Sequence, residues 1–434
     1  MDKFVIEGGQ PLSGTITPAG NKNAALPALA SCLLTEEEVI LRNIPRIRDV
    51  DAMVGLLQAL GVRCEWQEEN TVFLCAADVT ATRPDESLTT KIRASFLLAG
   101  PLLARFGEAF MPPPGGDVIG RRRLDPHLDA FRALGASVEA GRKEYKLTAP
   151  SGGLRACDFF MDEPSVMATE NALMAAALTE GSTVIHNAAS EPHVQDLARI
   201  LLQMGARIEG IGSNVLIVHG RGELGGADYR IGPDYIEIAS FVALAAVTGG
   251  ELQIDDVVPE DLRMTQLVFE RIGCTMLFDD GVAHVPAGQK LRVRDDEGDA
   301  ISKIEDGPWP AFPADLTSIA LALATQAEGM VLIHEKMFEN RLFFVDKLVS
   351  MGARVLLCDP HRAVVSGPSR LHGERMESPD IRAGMAMLIA ALCAEGTSEI
   401  GNVRQIDRGY ERIDERLRAL GARIERVPAE RLTA

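Results

Sequence analysis

Six times along this chain an amphipathic helical stretch ends in a hydrophobic residue and a glycine, then runs into a strand-like stretch. The copies are LLQALGVRCEW, FRALGASVEA, LLQMGARIEG, FERIGCTMLF, KLVSMGARVLL and RLRALGARIERV, with glycines at 61, 135, 205, 273, 352 and 421. A period of about 70 residues means one supersecondary unit used repeatedly, each copy unable to bury its apolar face alone. Each glycine suits the position just past a helix, where the backbone needs a positive φ. The residues that follow suit a strand leaving that turn.

A second element recurs upstream of most copies: an alanine-rich apolar run, a turn, then a strand. It reads ALPALASCLLTEEEVILRNI, ENALMAAALTEGSTVIHNA, IASFVALAAVTGGELQIDDV, IALALATQAEGMVLIHE and GMAMLIAALCAEGTSEIGNV, with a less regular copy, ASFLLAGPLLARFGEAFMP, from Ala94. These helices are apolar nearly all round, so they must be buried on every side. The helices ending in glycine carry charges and should face a sheet on one side and water on the other. Six units can stack as a solenoid or divide three plus three. A solenoid does not require so many helices buried all round. The expected class is therefore α/β, with two domains of three repeats each and buried helices wrapped by sheet. The break falls at RIGPDYIE, where Gly232 and Pro233 interrupt the pattern. The opening strand KFVIEGG has no helix of its own and is assigned to the carboxy-terminal cluster. That gives one domain over 22–232, with a mobile loop over 111–125, and a second formed by 1–21 and 233–434. A cleft between two such bodies is a natural place for a ligand.

Composition narrows the function. The 434 residues exceed one small core. A formal net charge of −18 argues against nucleic acid and anionic membranes as partners. A small anionic ligand needs only a few arginines gathered in a cleft. The seven cysteines are scattered and contain no C-x-x-C pair, which points to reduced thiols and a cytoplasmic location. The start, MDKFVIEGG, has no signal-peptide pattern. The most apolar stretch, GMAMLIAALCA, is shorter than a membrane span. The eight histidines show no metal-ligand spacing, so neither a metal nor another cofactor is expected. The oligomeric state stays open.

The candidate chemistry lies between the repeats. In MPPPGGDVIGRRRLDPH, prolines and glycines lead to one isolated acid, Asp117, followed by Arg121, Arg122 and Arg123. Such a segment suits closure over a cleft; its bland alternative is a solvated charged face. GNKNAALPALA sets Lys22 and Asn23 before a buried helix, where free N–H groups and positive potential favour an anion. The bland alternative is a capping asparagine beside a solvated lysine. KIRASFLLAGP carries Arg93, by itself an ordinary surface charge. Asp315, in PWPAFPADLTSIA, precedes another buried helix and suits an N-cap. Arg341, Arg382 and Arg408 stand near element ends in FENRLFF, SPDIRAGMA and QIDRGYERI.

Taken together, GNKNAALP, IRASFLLAGPLLARFG, PGGDVIG, FPADL, FENR, PDIRA and IDRGYERI resemble the UDP-N-acetylglucosamine 1-carboxyvinyltransferase family, over essentially the whole chain. These are the enolpyruvyl transferases that open peptidoglycan precursor synthesis. Their fold is an inside-out α/β barrel of two domains with three repeats each. The sister family, 5-enolpyruvylshikimate-3-phosphate synthase, has a lysine-serine segment where this chain has NKNAALP.

The resemblance implies transfer of the enolpyruvyl group of phosphoenolpyruvate to the sugar 3′-hydroxyl of UDP-N-acetylglucosamine. By the family pattern, Lys22, Asn23, Arg122, Arg382 and Arg408 bind phosphoenolpyruvate. The sugar nucleotide is met by Asn23, Arg93, Arg122, Arg123, Leu124, Asp125, Ser165, Val166, Asp315 and Met337. Asp117, Asp315, Lys22 and Arg408 are the catalytic set, and Arg341 shapes the closed cleft. Asp117 falls where many members carry a reactive cysteine, so the chain is expected to resist fosfomycin, which alkylates that thiolate. An aspartate ordinarily ionises near pH ~3.9, so a donor role requires proton uptake when the substrates bind. Glu163 replaces a frequent lysine, Met167 a frequent glycine, and Pro113 and Arg123 depart from the usual loop. Rival readings are transfer to another uridine nucleotide and a non-catalytic nucleotide-binding paralogue.

Overall fold

The computed structural model describes residues 2–428. The chain forms two compact units. One, here the N-terminal unit, comprises Gly20–Asp117 and Arg122–Gly232; the other, the C-terminal unit, comprises Met1–Ala19, Val118–Arg121 and Pro233–Ala434. The chain thus enters the C-terminal unit for four residues in the middle of the loop after Met111.

All six helix-ending glycines lie past a helix with positive φ, from 84° at Gly273 to 104° at Gly61. Each is followed by a strand: Arg63–Glu68, Ser137–Ala140, Arg207–Glu209, Leu277–Asp279, Val355–Asp359 and Arg423–Val427. Every one of these strands is the edge of its own sheet. In the first five repeats this strand is the outer arm of a hairpin with the strand that follows it. Five sheets add a parallel strand at the opposite edge; for example, Ser302–Glu305 runs beside Gly329–His334. The second repeat lacks that strand and has three. Its sheet contains Glu108–Met111, the strand that leads into the loop. The opening strand Lys3–Glu7 lies between Thr397–Gly401 and Arg423–Val427 in the last sheet.

The inner helices span Lys22–Ser31, Ala99–Phe106, Val166–Ala177, Tyr235–Thr248, Thr317–Ala324 and Ile381–Cys393. The last of these is buried continuously from Ile381 to Leu392. Small residues make this possible, since Ala and Gly let neighbouring backbones approach where larger side chains would hold them apart. In the C-terminal unit the three inner helices touch pairwise. Each unit has one aliphatic core built on its inner helices and the inward faces of its sheets. This is the inside-out α/β barrel: helices within, sheets around them. No helix among the described residues is long and apolar enough to cross a membrane.

The irregular second repeat has a physical cause. Pro101 has no N–H to give the helix, and the segment ahead of it, Arg93–Leu98, tightens into a 3₁₀ turn. Buried Asn171, from the next inner helix, bridges the break. Its Nδ2 donates to the Phe96 carbonyl (2.9 Å) and its Oδ1 accepts from the Gly100 N–H (2.8 Å). Asn171→Ala should therefore cost about 2–4 kcal/mol, read as a lower urea midpoint. An unchanged midpoint would show that the break is satisfied in some other way.

Candidate active site

In the N-terminal unit, the first inner helix begins at Lys22 itself. Asn21 is the cap: its side-chain oxygen accepts from Asn23 N (2.8 Å) and Ala24 N (3.1 Å). The bland alternative therefore holds for the capping asparagine, which is Asn21, and fails for the lysine, which is not solvated. Lys22 is 8% exposed and its Nζ lies 2.9 Å from Asp49 Oδ2. Asp49 sits in the first turn of the outer helix Arg48–Leu60. A buried ammonium needs such a counter-charge.

Arg93 opens the 3₁₀ turn and is half-buried, not an ordinary surface charge. Its Nη2 donates to the carbonyl of Arg122 and, at 3.3 Å, to that of Arg123. Burial, and then the charge of Arg122, pull its pKa down to about 10. The backbone of residues 122–123, which the family pattern gives to the nucleotide, is thus held by Arg93. Next to it, His127 is buried in the helix Asp125–Ala133. Burial, then Arg93 and Arg122, lower its pKa to about 3, so the imidazole is neutral. Its Nδ1 lies 2.9 Å from Asn171 Nδ2, and its ring meets Phe96 edge-on.

The three consecutive arginines have separate environments. Arg121 donates its backbone N–H to Glu339 Oε2 (3.0 Å). Arg122 offers its carbonyl to Arg93. Arg123 lies 3.0 Å from Asp162, 3.3 Å from Asp125 and 3.9 Å from Glu163. Two of the departures noted in the sequence, Arg123 and Glu163, therefore face each other, and a cation stands beside the acid that replaced one. Leu124 is buried ahead of the helix at Asp125. Ser165 precedes the third inner helix in extended conformation, and its hydroxyl does not cap it. Val166 is that helix's first residue.

The loop is tied at several points. Gly115 N donates to Thr89 O (3.1 Å), and Asn340 N donates to Ile119 O (3.0 Å). At Gly120, φ is 145° and a Cβ would lie 2.1 Å from Glu339 Oε2. Glycine here serves close approach rather than looseness. Asp117 is half-buried, directly before the four residues that belong to the C-terminal unit.

In the C-terminal unit, Asp315 is not an N-cap. It lies in the turn Ala314–Leu316, and its carboxylate is gripped by two buried arginines. Arg341 Nη2 donates to Oδ1 at 2.7 Å; Arg382 donates to Oδ2 through Nε at 3.2 Å, with Nη2 at 3.1 Å. Burial opposes both guanidinium charges. Asp315, then Asp380 and Glu335, outweigh it at Arg341, and Asp315, Tyr410 and Asp234 outweigh it at Arg382, so both pKa values are raised. Arg382 is the second residue of the sixth inner helix, capped by Asp380 (2.9 and 3.0 Å to the N–H groups of Arg382 and Ala383). Its Nη1 also donates to Tyr410 Oη (3.2 Å), which lies 3.1 Å from Ser240 Oγ. Arg408 sits in the turn Ile406–Arg408, with Nη1 2.9 Å from Gln405 Oε1. Met337 is partly exposed three residues past the strand Gly329–His334.

The structure thus brings Asp315, Arg341 and Arg382 into one cluster, and Arg93, Arg122 and Arg123 into another. Sequence reasoning missed Asp49, His127, Asn171 and Tyr410, whose partners are distant in the chain. It also missed Asp234, which caps the fourth inner helix through the N–H groups of Ile236 (2.9 Å) and Glu237 (3.2 Å). The available signal was an acid immediately before a buried helix, as at Asp315 and Asp380.

Among solved structures, this fold is that of the enolpyruvyl transferases. The enolpyruvyl transferase NikO from Streptomyces tendae matches with a TM-score of 0.87 at 24% identity, over 98% of this chain and all of the other. EPSP synthase from Acinetobacter baumannii matches with a TM-score of 0.75 at 18% identity, over 99% and all of the two chains. A family profile described as EPSP synthase (3-phosphoshikimate 1-carboxyvinyltransferase) matches residues 6–417. The UDP-N-acetylglucosamine 1-carboxyvinyltransferase of Bradyrhizobium diazoefficiens is 58% identical over 98% of each chain. That of Treponema denticola is 56% identical over 98% of this chain and 99% of its own. The chain belongs to the UDP-N-acetylglucosamine 1-carboxyvinyltransferase family, within that wider EPSP synthase family.

Tyr410→Phe should lower stability by about 1–3 kcal/mol, because it removes a buried acceptor from Arg382 and a partner from Ser240. Thermal unfolding would measure it, and an unchanged midpoint would show that the hydroxyl does not hold the arginine.

Proposed function

We propose that this chain transfers the enolpyruvyl group of phosphoenolpyruvate to the 3′-hydroxyl of UDP-N-acetylglucosamine, releasing phosphate, as the first committed step toward peptidoglycan. The observation that carries this reading is Asp315 held between Arg341 and Arg382 in a chain more than half identical to carboxyvinyltransferases. Scattered free thiols fit a cytoplasmic enzyme.

The reaction adds the sugar hydroxyl to C2 of phosphoenolpyruvate while C3 gains a proton; the tetrahedral ketal then expels phosphate from C2 and loses a proton from C3, which restores the vinyl double bond. Two arginines fix both oxygens of Asp315, so the carboxylate is aimed before substrate arrives. In this reading it accepts the hydroxyl proton and stabilises positive character at C2. Lys22, Arg122 and Arg408 take the phosphate, and Arg382 and Arg408 take the carboxylate of phosphoenolpyruvate. Asn23, Arg93 and Asp315 meet the amino sugar, and Met337 is a further contact of the sugar nucleotide. Ser165 and Val166 meet the diphosphate, and the backbone of residues 122–125 meets uracil. Asp117 donates a proton, either to C3 or to the departing phosphate.

Phosphate release should require both substrates, and product mass should distinguish UDP-N-acetylglucosamine from UMP as acceptor. Asp315→Asn and Asp117→Asn should each lower kcat by about 10²–10⁴-fold. Release of phosphate from phosphoenolpyruvate without an acceptor, or no release at all, would contradict the reading. Proton uptake on adding both substrates should be smaller in Asp117→Asn than in the parent; equal uptake would remove Asp117 from the donor role. A carboxylate is a poor nucleophile toward an epoxide, so the parent should resist fosfomycin and Asp117→Cys should gain sensitivity. Covalent inactivation of the parent at low drug concentration would overturn that assignment.

A further inference from the structure

The parallel strands Ser302–Glu305 and Gly329–His334 end side by side, with Glu305 in register with His334. The next residue on each is acidic, and both are fully enclosed: Asp306 is 1% exposed and Glu335 0%. One oxygen of each is fixed by backbone. Asp306 Oδ1 accepts from Lys336 N, and Glu335 Oε1 accepts from Phe338 N at 3.0 Å. The other oxygens, Asp306 Oδ2 and Glu335 Oε2, are buried without a geometrically sound hydrogen bond, as are Thr317 Oγ1 and Arg341 Nε. Glu335 interacts with all three of the other residues. Thr317 opens the fifth inner helix two residues after Asp315, and Arg341 is the arginine that grips Asp315. Buried Glu335 therefore acts on the guanidinium that aims the proposed base, and buried Asp306 acts on Glu335.

We propose that Glu335 and Asp306 share one proton, and that this singly charged pair sets the position of Arg341 and, through it, of Asp315. Glu335 is then a positioning residue for the enolpyruvyl transfer proposed above, on which this inference rests. Two ionised carboxylates enclosed side by side would repel each other and draw Arg341 away from Asp315; one shared proton removes both effects. Burial, and then the charge of Asp306, push the Glu335 carboxyl up to about 8, with Arg341 opposing. That value belongs to the pair as a unit. Other groups face this region. His361 Nδ1 lies 2.7 Å from the Glu335 carbonyl oxygen. On the neighbouring surface, Glu305 pairs with Lys303 (2.7 Å), Lys336 (3.5 Å) and His334 (3.8 Å). Only a comparison between parent and variant isolates the pair from these neighbours.

The sign follows from proton linkage. The folded chain holds this proton more tightly than the unfolded one. The pair's contribution is therefore complete below the ordinary glutamate range and is lost as pH rises toward 8. Thermal midpoints of the parent, Glu335→Gln and Asp306→Asn should be measured from pH 5 to 9, alongside kcat from phosphate release. The parent's midpoint should fall across this range more steeply than that of either amide variant. Its kcat should show an alkaline fall that Glu335→Gln lacks. At pH 7, Glu335→Ala should lower kcat about tenfold with little change in KM, and Glu335→Gln should restore most of it. Midpoints that decline in parallel in the parent and both amides would overturn the shared proton. An alkaline fall unchanged in Glu335→Gln would overturn its link to Asp315. If the parent released no phosphate at any pH, the proposed reaction would fail, and the midpoints would still decide the pair.

Discussion

A helix buried on all sides is the constraint on which this structure depends. Its flanks are mostly apolar and small, with exceptions such as Glu170, Asn171 and Ser240, so most charges of the core gather at its ends. The four N–H groups at each amino terminus need partners or charge. Side chains of Asn21, Asp234 and Asp380 cap the first, fourth and sixth inner helices, and each of the six has a candidate-site residue at or near that end. Lys22 opens the first, Arg93 the 3₁₀ turn leading into the second, and Ser165 precedes the third. Asp234 caps the fourth, Asp315 lies just before the fifth, and Arg382 is the second residue of the sixth. Folding the core and equipping the site are therefore one process. The apolar runs set where the helices lie, and their ends set where the charges appear.

Enclosing those charges is costly unless each has a partner with good geometry. The structure meets this with paired groups: Lys22 with Asp49, Arg93 with loop carbonyls, and Arg341 and Arg382 with Asp315. Such pairs contribute little net stability compared with apolar packing of the same volume. What they contribute is fixed direction, and electrostatic catalysis depends on groups aimed in advance. The loop fits the same logic. Its glycines admit close backbone approach, Gly115 at Thr90 and Gly120 at Glu339.

The repeated helix, glycine and strand were legible in the sequence because they rest on local chemistry. Hydrophobic periodicity marks the helix, a positive φ selects glycine, and the strand follows. All six glycines have that backbone conformation. The buried helices were legible for the same reason. The partners of the charged residues were not. Asp49 lies 27 residues from Lys22, Asp315 lies 67 from Arg382, and Asn171 lies 71 from Gly100. No local pattern joins them; Lys22 meets Asp49 through packing of the two helices of one repeat, and the other two pairs meet through packing of one repeat on another. For that reason Asp315 read locally as a helix cap, and a solvated lysine stood as an alternative at Lys22, since each has an adequate local explanation. Asp306 and Glu335 were hidden similarly, in strand ends that are neighbours only once the sheet has formed.

A crystal structure of the chain with phosphoenolpyruvate and UDP-N-acetylglucosamine bound together, or with an unreactive analogue of either, tests the central claim most directly. The account predicts the sugar 3′-hydroxyl within hydrogen-bond reach of the Asp315 carboxylate, still gripped by Arg341 and Arg382. It also places the Asp117 carboxyl against the reacting carbons or the phosphate. Substrates bound away from Asp315, or Asp117 turned into bulk solvent, would contradict it.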